Sequence, residues 1–131
     1  MRALARLLVA LTIAIASIVG HAHAQQGESR LYTITKSGKL RVCIFPLYFL
    51  ISYRNPASGQ LEGIDIDLAK ELAKELGVEL QFVESSFSSF VADLQANKCE
   101  IGMFGIGATL KRAQAVAFSH PYLITNVYAV K

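Results

Sequence analysis

The stretch IDIDLAKELAKELGVELQFVE, residues 64–84, decides the fold because it joins a helix pattern directly to a strand pattern. Its first half places apolar side chains on one helix face and lysine and glutamate side chains on the other. The apolar residues of that face are Leu68, Ala69, Leu72, Ala73 and Leu76. Asp65 is the predicted N-cap of this helix, and Gly77 is its predicted end. The alternation of apolar and polar residues over 78–84 then predicts a strand.

Two more apolar runs, KLRVCIF at residues 39–45 and EIGMFGI at residues 100–106, predict further strands. The stretch FLISYRNPASGQLEG, residues 49–63, predicts two short extended pieces around a turn, because Asn-Pro and Ser-Gly are strong turn formers. Apolar side chains at helical spacing over residues 87–98 predict a second helix. The order β, hairpin, α, β, α, β predicts an α/β fold with a parallel open sheet and flanking helices.

The N-terminal residues 1–24 are typical of a secretory signal peptide. Arg2 and Arg6 supply the charged region, an apolar core runs from Leu7 to Gly20, and Ala-His-Ala at 22–24 is a small-x-small cleavage site. An uncleaved anchor is the alternative, but 14 apolar residues are fewer than the about 20 that span a bilayer. We therefore expect cleavage before Gln25 and export to the periplasm.

Charge and composition exclude several classes of function. The chain of 131 residues has 13 Lys and Arg against 10 Asp and Glu, and removal of the signal leaves 11 against 10 without a basic run. No nucleic-acid partner is therefore expected. His120 is the only histidine outside the signal, and the two cysteines are far apart. We predict no catalytic residue, no metal and no cofactor.

Cys43 and Cys99 raise the question of a disulfide, which is the ordinary expectation for two cysteines in an exported protein. Cys43 lies late in the first predicted strand, and Cys99 lies just before the third. If those strands are parallel neighbours, the two residues lie towards opposite ends of the sheet, beyond the about 7 Å that a disulfide tolerates between Cα atoms. The sequence thus predicts two free thiols.

The carboxyl ends of parallel strands are where ligands gather in open sheets. Residues 45–49, 85–87 and 104–112 follow the three predicted strands and converge on that edge. Gly105 and Gly107 allow a ligand to approach backbone N–H groups closely. The aromatic residues at the strand ends would wall an apolar pocket, although each could be core. These residues are Phe45, Tyr48, Phe49, Phe87 and Phe104.

Arg112 is the candidate anion-binding residue of this edge. If Thr109 caps a helix, Lys111 and Arg112 fall in its first turn, where the positive end of the helix dipole disfavours them. An anion would remove that conflict, and a guanidinium suits a carboxylate or a phosphate. The alternative is that Gly105 and Gly107 only form a turn and Arg112 points into water.

Two stretches, GKLRVCIFPLYFLISYRNPASGQLEGIDIDLAKELAKELGVELQFVE and LQANKCEIGMFGIGATLKRAQAVAFSHPYL, closely resemble bacterial extracellular solute-binding proteins of family 3. These are periplasmic receptors of ABC importers for polar amino acids. The resemblance covers about residues 30–131 and implies the first half-lobe of a periplasmic binding protein (type II) fold. It implies that the ligand contacts the side chains of Tyr48 and Phe87, the backbone near Phe104 and Gly105, and Arg112, which grips the α-carboxylate.

Three departures from the family pattern qualify the resemblance. Gly107 replaces the usual Ser or Thr, and Phe45 replaces the acidic residue common in receptors for basic amino acids, which argues against a cationic ligand. Family members are also roughly twice as long. Residues 25–131 are therefore expected to be an N-terminal lobe truncated before the second lobe, which would bind its ligand weakly by itself.

The resemblance leaves three functions open. The first is a monomeric periplasmic protein that delivers an amino acid or related carboxylate to an ABC permease in the inner membrane. The second is a cyclohexadienyl dehydratase-like enzyme, in which Arg112 would hold the carboxylate of prephenate or arogenate. The third is the sensor domain of a larger envelope protein.

Overall fold

The structure is a computed structural model that describes residues 29–124. The predicted signal peptide lies outside the described residues, as do residues 125–131. The helices are α1 Arg30–Ser37, α2 Ile64–Leu76, α3 Phe90–Gln95 and α4 Leu110–Ala113. The strands are β1 Lys39–Ile44, β2 Leu47–Tyr48, β3 Ser52–Arg54, β4 Leu61–Glu62, β5 Glu79–Glu84 and β6 Ile101–Gly102. Over this described range, no helix has the length and apolar character needed to cross a membrane.

The central sheet confirms the predicted parallel arrangement. Its strand order is β5–β1–β6, and β1 pairs in parallel with both neighbours. Alternate residues of β1 face opposite layers: Leu40, Val42 and Ile44 pack in one core with α2, whereas Cys43 packs in a second core with Phe90 of α3. Helices therefore cover both faces of the sheet, as the element order predicts.

Helix α2 forms where the sequence predicts a helix, but its N-terminus differs from the prediction. The helix begins at Ile64 after an N-cap Gly63 that has no side chain. The backbone amides of Ile64 and Asp65 donate instead to the carbonyl oxygens of Leu50 and Ile51, at 3.0 and 2.9 Å. The prediction of Asp65 as N-cap is wrong because these carbonyls already satisfy the free amides of the first turn. The predicted end at Gly77 is confirmed, with a left-handed φ of 65°.

A small antiparallel sheet, in the order β2–β3–β4, lies beyond the end of β1. Strands β3 and β4 are the two extended pieces predicted around the turn. Strand β2 was not predicted because it has only two residues, too few for any alternation to be visible. It matters for the site, since it contains Tyr48.

The cysteines form a disulfide, so the prediction of free thiols is wrong. Cys43 and Cys99 are bonded, with their Cα atoms 5.6 Å apart. The predicted strands are indeed parallel neighbours, and Cys43 lies opposite Gly102. However, strand β6 begins only at Ile101, and Asn97 has a left-handed φ of 55°. The chain therefore turns before β6 instead of extending along it, which brings Cys99 over Cys43 in the buried core beside α3.

We expect the disulfide to make a large contribution to stability, because it joins residues separated by 56 positions. Replacing both cysteines by alanine should lower the free energy of unfolding by about 2 to 4 kcal/mol, measured by urea denaturation. A reductant should lower the urea midpoint of the wild type and leave that of the double variant unchanged. Labelling of two thiols in denaturant without reductant would contradict the pairing.

Candidate functional site

An aromatic cluster lies where the three central strands end. The ring of Phe87 is central to it, with ring centroids 5.4 Å from Phe45, 5.9 Å from Tyr48 and 5.0 Å from Phe104. Phe104 also packs edge-to-face on Phe90, at 5.8 Å. The structure thus brings together side chains that follow β1, β5 and β6, as expected at the carboxyl edge of a parallel sheet.

Only part of this cluster can meet a ligand. Tyr48 and Phe87 are each 38% exposed, whereas the side chain of Phe104 is completely buried. The ring of Phe104 is therefore core, and only its backbone remains a candidate for ligand contact. Phe49 is exposed and packs on Tyr53 instead of joining the cluster. The expectation that Phe49 walls the pocket is therefore wrong, because the turn after β2 directs its ring onto β3.

The turn after β6 packs closely against Tyr48. Gly105 has a left-handed φ of 64°, and a Cβ atom there would lie 2.9 Å from Cε1 of Tyr48. The N–H of Gly105 donates to Oδ2 of Asp65 at 2.6 Å, so it is not available to a ligand. Among residues 29–124, the amides of Ile106 and Gly107 have no protein hydrogen-bond acceptor. These two amides are therefore the better candidates for binding an anion.

Asp65 is a positioning residue, and not the helix N-cap that the sequence predicts. Its side chain is fully buried, and Oδ1 accepts a hydrogen bond from the hydroxyl of Tyr122 at 2.8 Å. Partial burial and this hydrogen bond raise the pKa of Tyr122 above its usual range. The sequence did indicate that Asp65 is buried, because Asp65 lies four and eight residues before Ala69 and Ala73. That spacing places it on the apolar face of α2.

A polar network fixes the loop that carries Phe87. Oγ of Ser85 donates to Oδ2 of Asp93 at 2.7 Å, and Lys98 donates to the other carboxylate oxygen at 2.7 Å. These hydrogen bonds, the one from Lys98 first, hold the pKa of Asp93 below its usual value. The amide of Ser86 also donates to Oγ of Ser89. The network ties the loop to α3, so the position of Phe87 is set by the framework.

Arg112 lies beside this cluster on the one-turn helix α4. Thr109 is the N-cap, as predicted, and its Oγ1 accepts from the amide of Arg112 at 3.3 Å. Because α4 has only four residues, its dipole is too small to determine where an anion binds. The contacts of the guanidinium decide its position: Nη1 donates to the carbonyl of Gly107 at 3.0 Å, and Cζ lies 5.4 and 5.9 Å from the ring centroids of Phe90 and Phe87.

The guanidinium of Arg112 has no carboxylate partner among residues 29–124. One of its nitrogens is used by Gly107, which leaves other N–H donors in the planar fork. An uncompensated, partly buried guanidinium next to half-exposed rings can bind a small carboxylate in two-pronged geometry. The structure thus places all six predicted contact residues around one position: Tyr48, Phe87, Phe104, Gly105, Gly107 and Arg112.

Comparison with known protein families decides the classification. The family model described as "Bacterial extracellular solute-binding proteins, family 3" matches residues 40–131. The chain belongs to this family. The family resemblance predicted from the sequence is therefore confirmed.

The individual relatives of this chain include an enzyme and a binding protein. It is 37% identical over 111 residues to the cyclohexadienyl dehydratase of Pseudomonas aeruginosa, a match that covers 85% of this chain and 41% of the relative. It is 38% identical over 81 residues to the histidine-binding periplasmic protein of Salmonella typhimurium, which covers 62% of this chain and 31% of the relative. The chain thus spans less than half the length of these relatives.

A solved structure confirms the predicted half-lobe of a type II binding-protein fold. The arginine-bound form of domain 1 of ArgBP from T. maritima superposes with a TM-score of 0.65 at 34% identity. The superposition covers 69% of this chain and 71% of that chain. This chain therefore shares its α/β architecture with that arginine-bound domain.

We predict that Tyr122→Phe destabilises the fold through Asp65. Loss of the hydroxyl leaves a buried carboxylate oxygen without its donor, which costs about 1 to 3 kcal/mol in the free energy of unfolding. Tyr32→Phe is the matched control, because Tyr32 is 51% exposed against 53% for Tyr122. Equal urea midpoints for the two variants would show that the Asp65 contact contributes nothing.

We also predict that Gly105→Ala is costly, whereas Gly107→Ala is tolerated. An alanine at 105 would adopt a left-handed conformation and press on Tyr48, at a cost of about 1 to 2 kcal/mol from the backbone alone. At Gly107, a Cβ atom meets only Nη1 of Arg112, at an ordinary 3.9 Å. Urea denaturation measures the cost, and the NMR ring signals of Tyr48 should shift only in Gly105→Ala.

Proposed function

We propose that this chain is the ligand-binding lobe of a periplasmic solute-binding protein that captures an amino acid or a related small carboxylate for ABC-type import. The observation that carries the proposal is Arg112, whose guanidinium has no carboxylate partner within residues 29–124 and lies over Phe87, beside the half-exposed ring of Tyr48. Membership of family 3 supports it.

In this proposal each contact residue has a separate role. Arg112 donates to the α-carboxylate of the ligand with the N–H groups that Gly107 does not use. The amides of Ile106 and Gly107, which have no acceptor in the part of the chain that the structure describes, add donors from the backbone of the turn. Tyr48 and Phe87 pack on the rest of the ligand. Gly107 provides no hydroxyl, so one donor common in the family is missing.

The cellular setting is part of the same proposal. Residues 1–24 are a cleaved signal peptide, residues 25–131 are the N-terminal lobe, and the mature protein is a periplasmic monomer that docks on an inner-membrane permease. The periplasmic histidine-binding relative supports the location. An intact mass of the exported protein that begins at Gln25 is the direct check of the boundary.

The lobe is proposed to bind its ligand without help from a second lobe. The structure of domain 1 of ArgBP holds arginine as a domain, which supports binding by a single lobe of this architecture. Closure of a second lobe over the site would bury the ligand further and strengthen binding.

A cyclohexadienyl dehydratase-like lyase is the second candidate, favoured by the 37% identity to the Pseudomonas aeruginosa enzyme over most of this chain. Arg112 would then hold a carboxylate of prephenate or arogenate. One assay distinguishes the two candidates. A dehydratase converts prephenate, with loss of water and carbon dioxide, into an aromatic product that has strong ultraviolet absorbance. A binding protein leaves the absorbance unchanged while prephenate or an amino acid binds.

We expect Arg112→Ala to weaken amino-acid binding by a factor on the order of thirty to several thousand. Truncating one partner of a buried, hydrogen-bonded charge pair costs roughly 2 to 5 kcal/mol. Arg112→Lys should recover only part of this loss, because an ammonium lacks the two-pronged geometry. Isothermal titration calorimetry of the full chain with a panel of L-amino acids measures the three dissociation constants.

Lys111→Ala is the matched control for Arg112→Ala. Lys111 is an exposed neighbour on the same helical turn, whereas Arg112 is partly buried against the aromatic rings. Its removal should change the affinity by less than about threefold. Equal losses in the two variants would reduce the proposed carboxylate contact to a diffuse electrostatic attraction.

A further inference from the structure

No acidic side chain within residues 29–124 pairs with the guanidinium of Arg112 in the candidate site. Asp65 is fully buried, and its two oxygens already accept hydrogen bonds from Gly105 and Tyr122. Asp93 is paired with Lys98, and Glu84, at the end of β5, is paired with Arg54. The acidic groups on the segments that form the site are therefore all committed elsewhere. A ligand with a cationic side chain would find no counter-charge among the described residues.

The walls of the site also disfavour a second cation. Aromatic faces attract cations, but the guanidinium of Arg112 already lies over Phe87. Tyr48 meets Phe87 in a T-shaped arrangement, with an interplanar angle of 67°, and Phe45 meets it at 61°. In such edge-to-face pairs the edge of one ring, which carries the positive part of the aromatic quadrupole, meets the face of the other. The exposed parts of Tyr48 and Phe87 suit another ring or an apolar group.

From these two observations we propose that the site selects a carboxylate whose side chain is an uncharged ring over a cationic amino acid. The carboxylate cancels the charge of Arg112, and the ring extends along Phe87 and Tyr48. The inference rests on the proposed function, since it uses Arg112 as the carboxylate-binding residue. It applies equally to capture and to catalysis, because both begin with binding of the carboxylate.

Calorimetry of the full chain with four probes tests the inference: L-phenylalanine, 3-phenylpropionate, L-norleucine and L-arginine. L-phenylalanine should bind at least tenfold more tightly than L-arginine, because L-arginine carries a side-chain guanidinium in addition to the ammonium group that both ligands share. It should also bind several-fold more tightly than L-norleucine, since aromatic pairs add to the apolar contact. Binding of 3-phenylpropionate, which has no ammonium group, shows that the ring and the carboxylate suffice.

A matched pair of variants separates the ring contact from general loss of affinity. Tyr48→Leu keeps an apolar side chain and removes the ring, so it should lower the preference for L-phenylalanine over L-norleucine severalfold. Phe49→Leu is the control, because Phe49 packs on Tyr53 outside the cluster, and it should leave that preference unchanged. A preference that is unchanged in Tyr48→Leu would overturn the proposed ring contact.

The failures of the inference and of the proposed function are distinguishable. Binding of L-arginine that equals or exceeds that of L-phenylalanine, and that is lost in Arg112→Ala, would overturn the ligand class and leave the proposed function intact. Binding that is insensitive to Arg112→Ala, or no binding of any probe, would overturn both.

Discussion

The buried carboxylate of Asp65 is the contact on which the rest of the site depends. It lies in the first turn of α2, accepts from the backbone of Gly105, and accepts from the hydroxyl of Tyr122. It therefore joins the helix that covers one face of the sheet to the turn that follows β6. A buried carboxylate is stable only when its oxygens are hydrogen-bonded, so the turn and Tyr122 must remain in place for α2 to pack. The turn after β6 also positions Tyr48 and the amides that follow Gly105.

The disulfide and the serine loop fix the other side of the site. Cys43 and Cys99 join the central strand to the segment before β6, in the same buried core as Phe90 and Phe104. The loop that carries Phe87 is tied to α3 through Asp93. The Asp65 hydrogen bonds, the disulfide and the serine loop thus hold the aromatic cluster in place. Little ordering of the protein is therefore needed when a ligand binds.

The known relatives and the physical character of the site point to different ligands. Relatives of this chain include a histidine-binding protein, an arginine-bound domain and a dehydratase. Those proteins share the lobe, but a lobe architecture does not fix the ligand, because ligand choice depends on a few side chains at the strand ends. Here those side chains are aromatic, and Arg112, which lies over Phe87, has no carboxylate partner within residues 29–124. Selection by the ring and the carboxylate follows from that composition.

The sequence by itself determined the α/β class, the helix over residues 64–76, the parallel strands and the set of segments that meet at the candidate site. The helix and the strands follow from local periodicity, which is visible in the linear sequence. The set of segments at the site follows because the carboxyl ends of parallel strands lie at the same edge of a sheet. It also determined family membership, because the motifs are contiguous. The boundaries of the short strands β2 and β6 could not be predicted, since two residues carry no period.

Only the tertiary structure decided the disulfide, the role of Asp65 and the surroundings of Arg112. Cys99 meets Cys43 because the chain turns at Asn97, and a single left-handed residue leaves no reliable mark in the sequence. Asp65 was assigned to a cap because caps are local, whereas its actual partners lie 40 and 57 residues away. The anion-binding role of Arg112 was inferred in part from a helix dipole, but the position of its guanidinium is set by contacts with two rings from other elements. Contacts between distant residues depend on how the elements pack, and packing is a property of the folded chain.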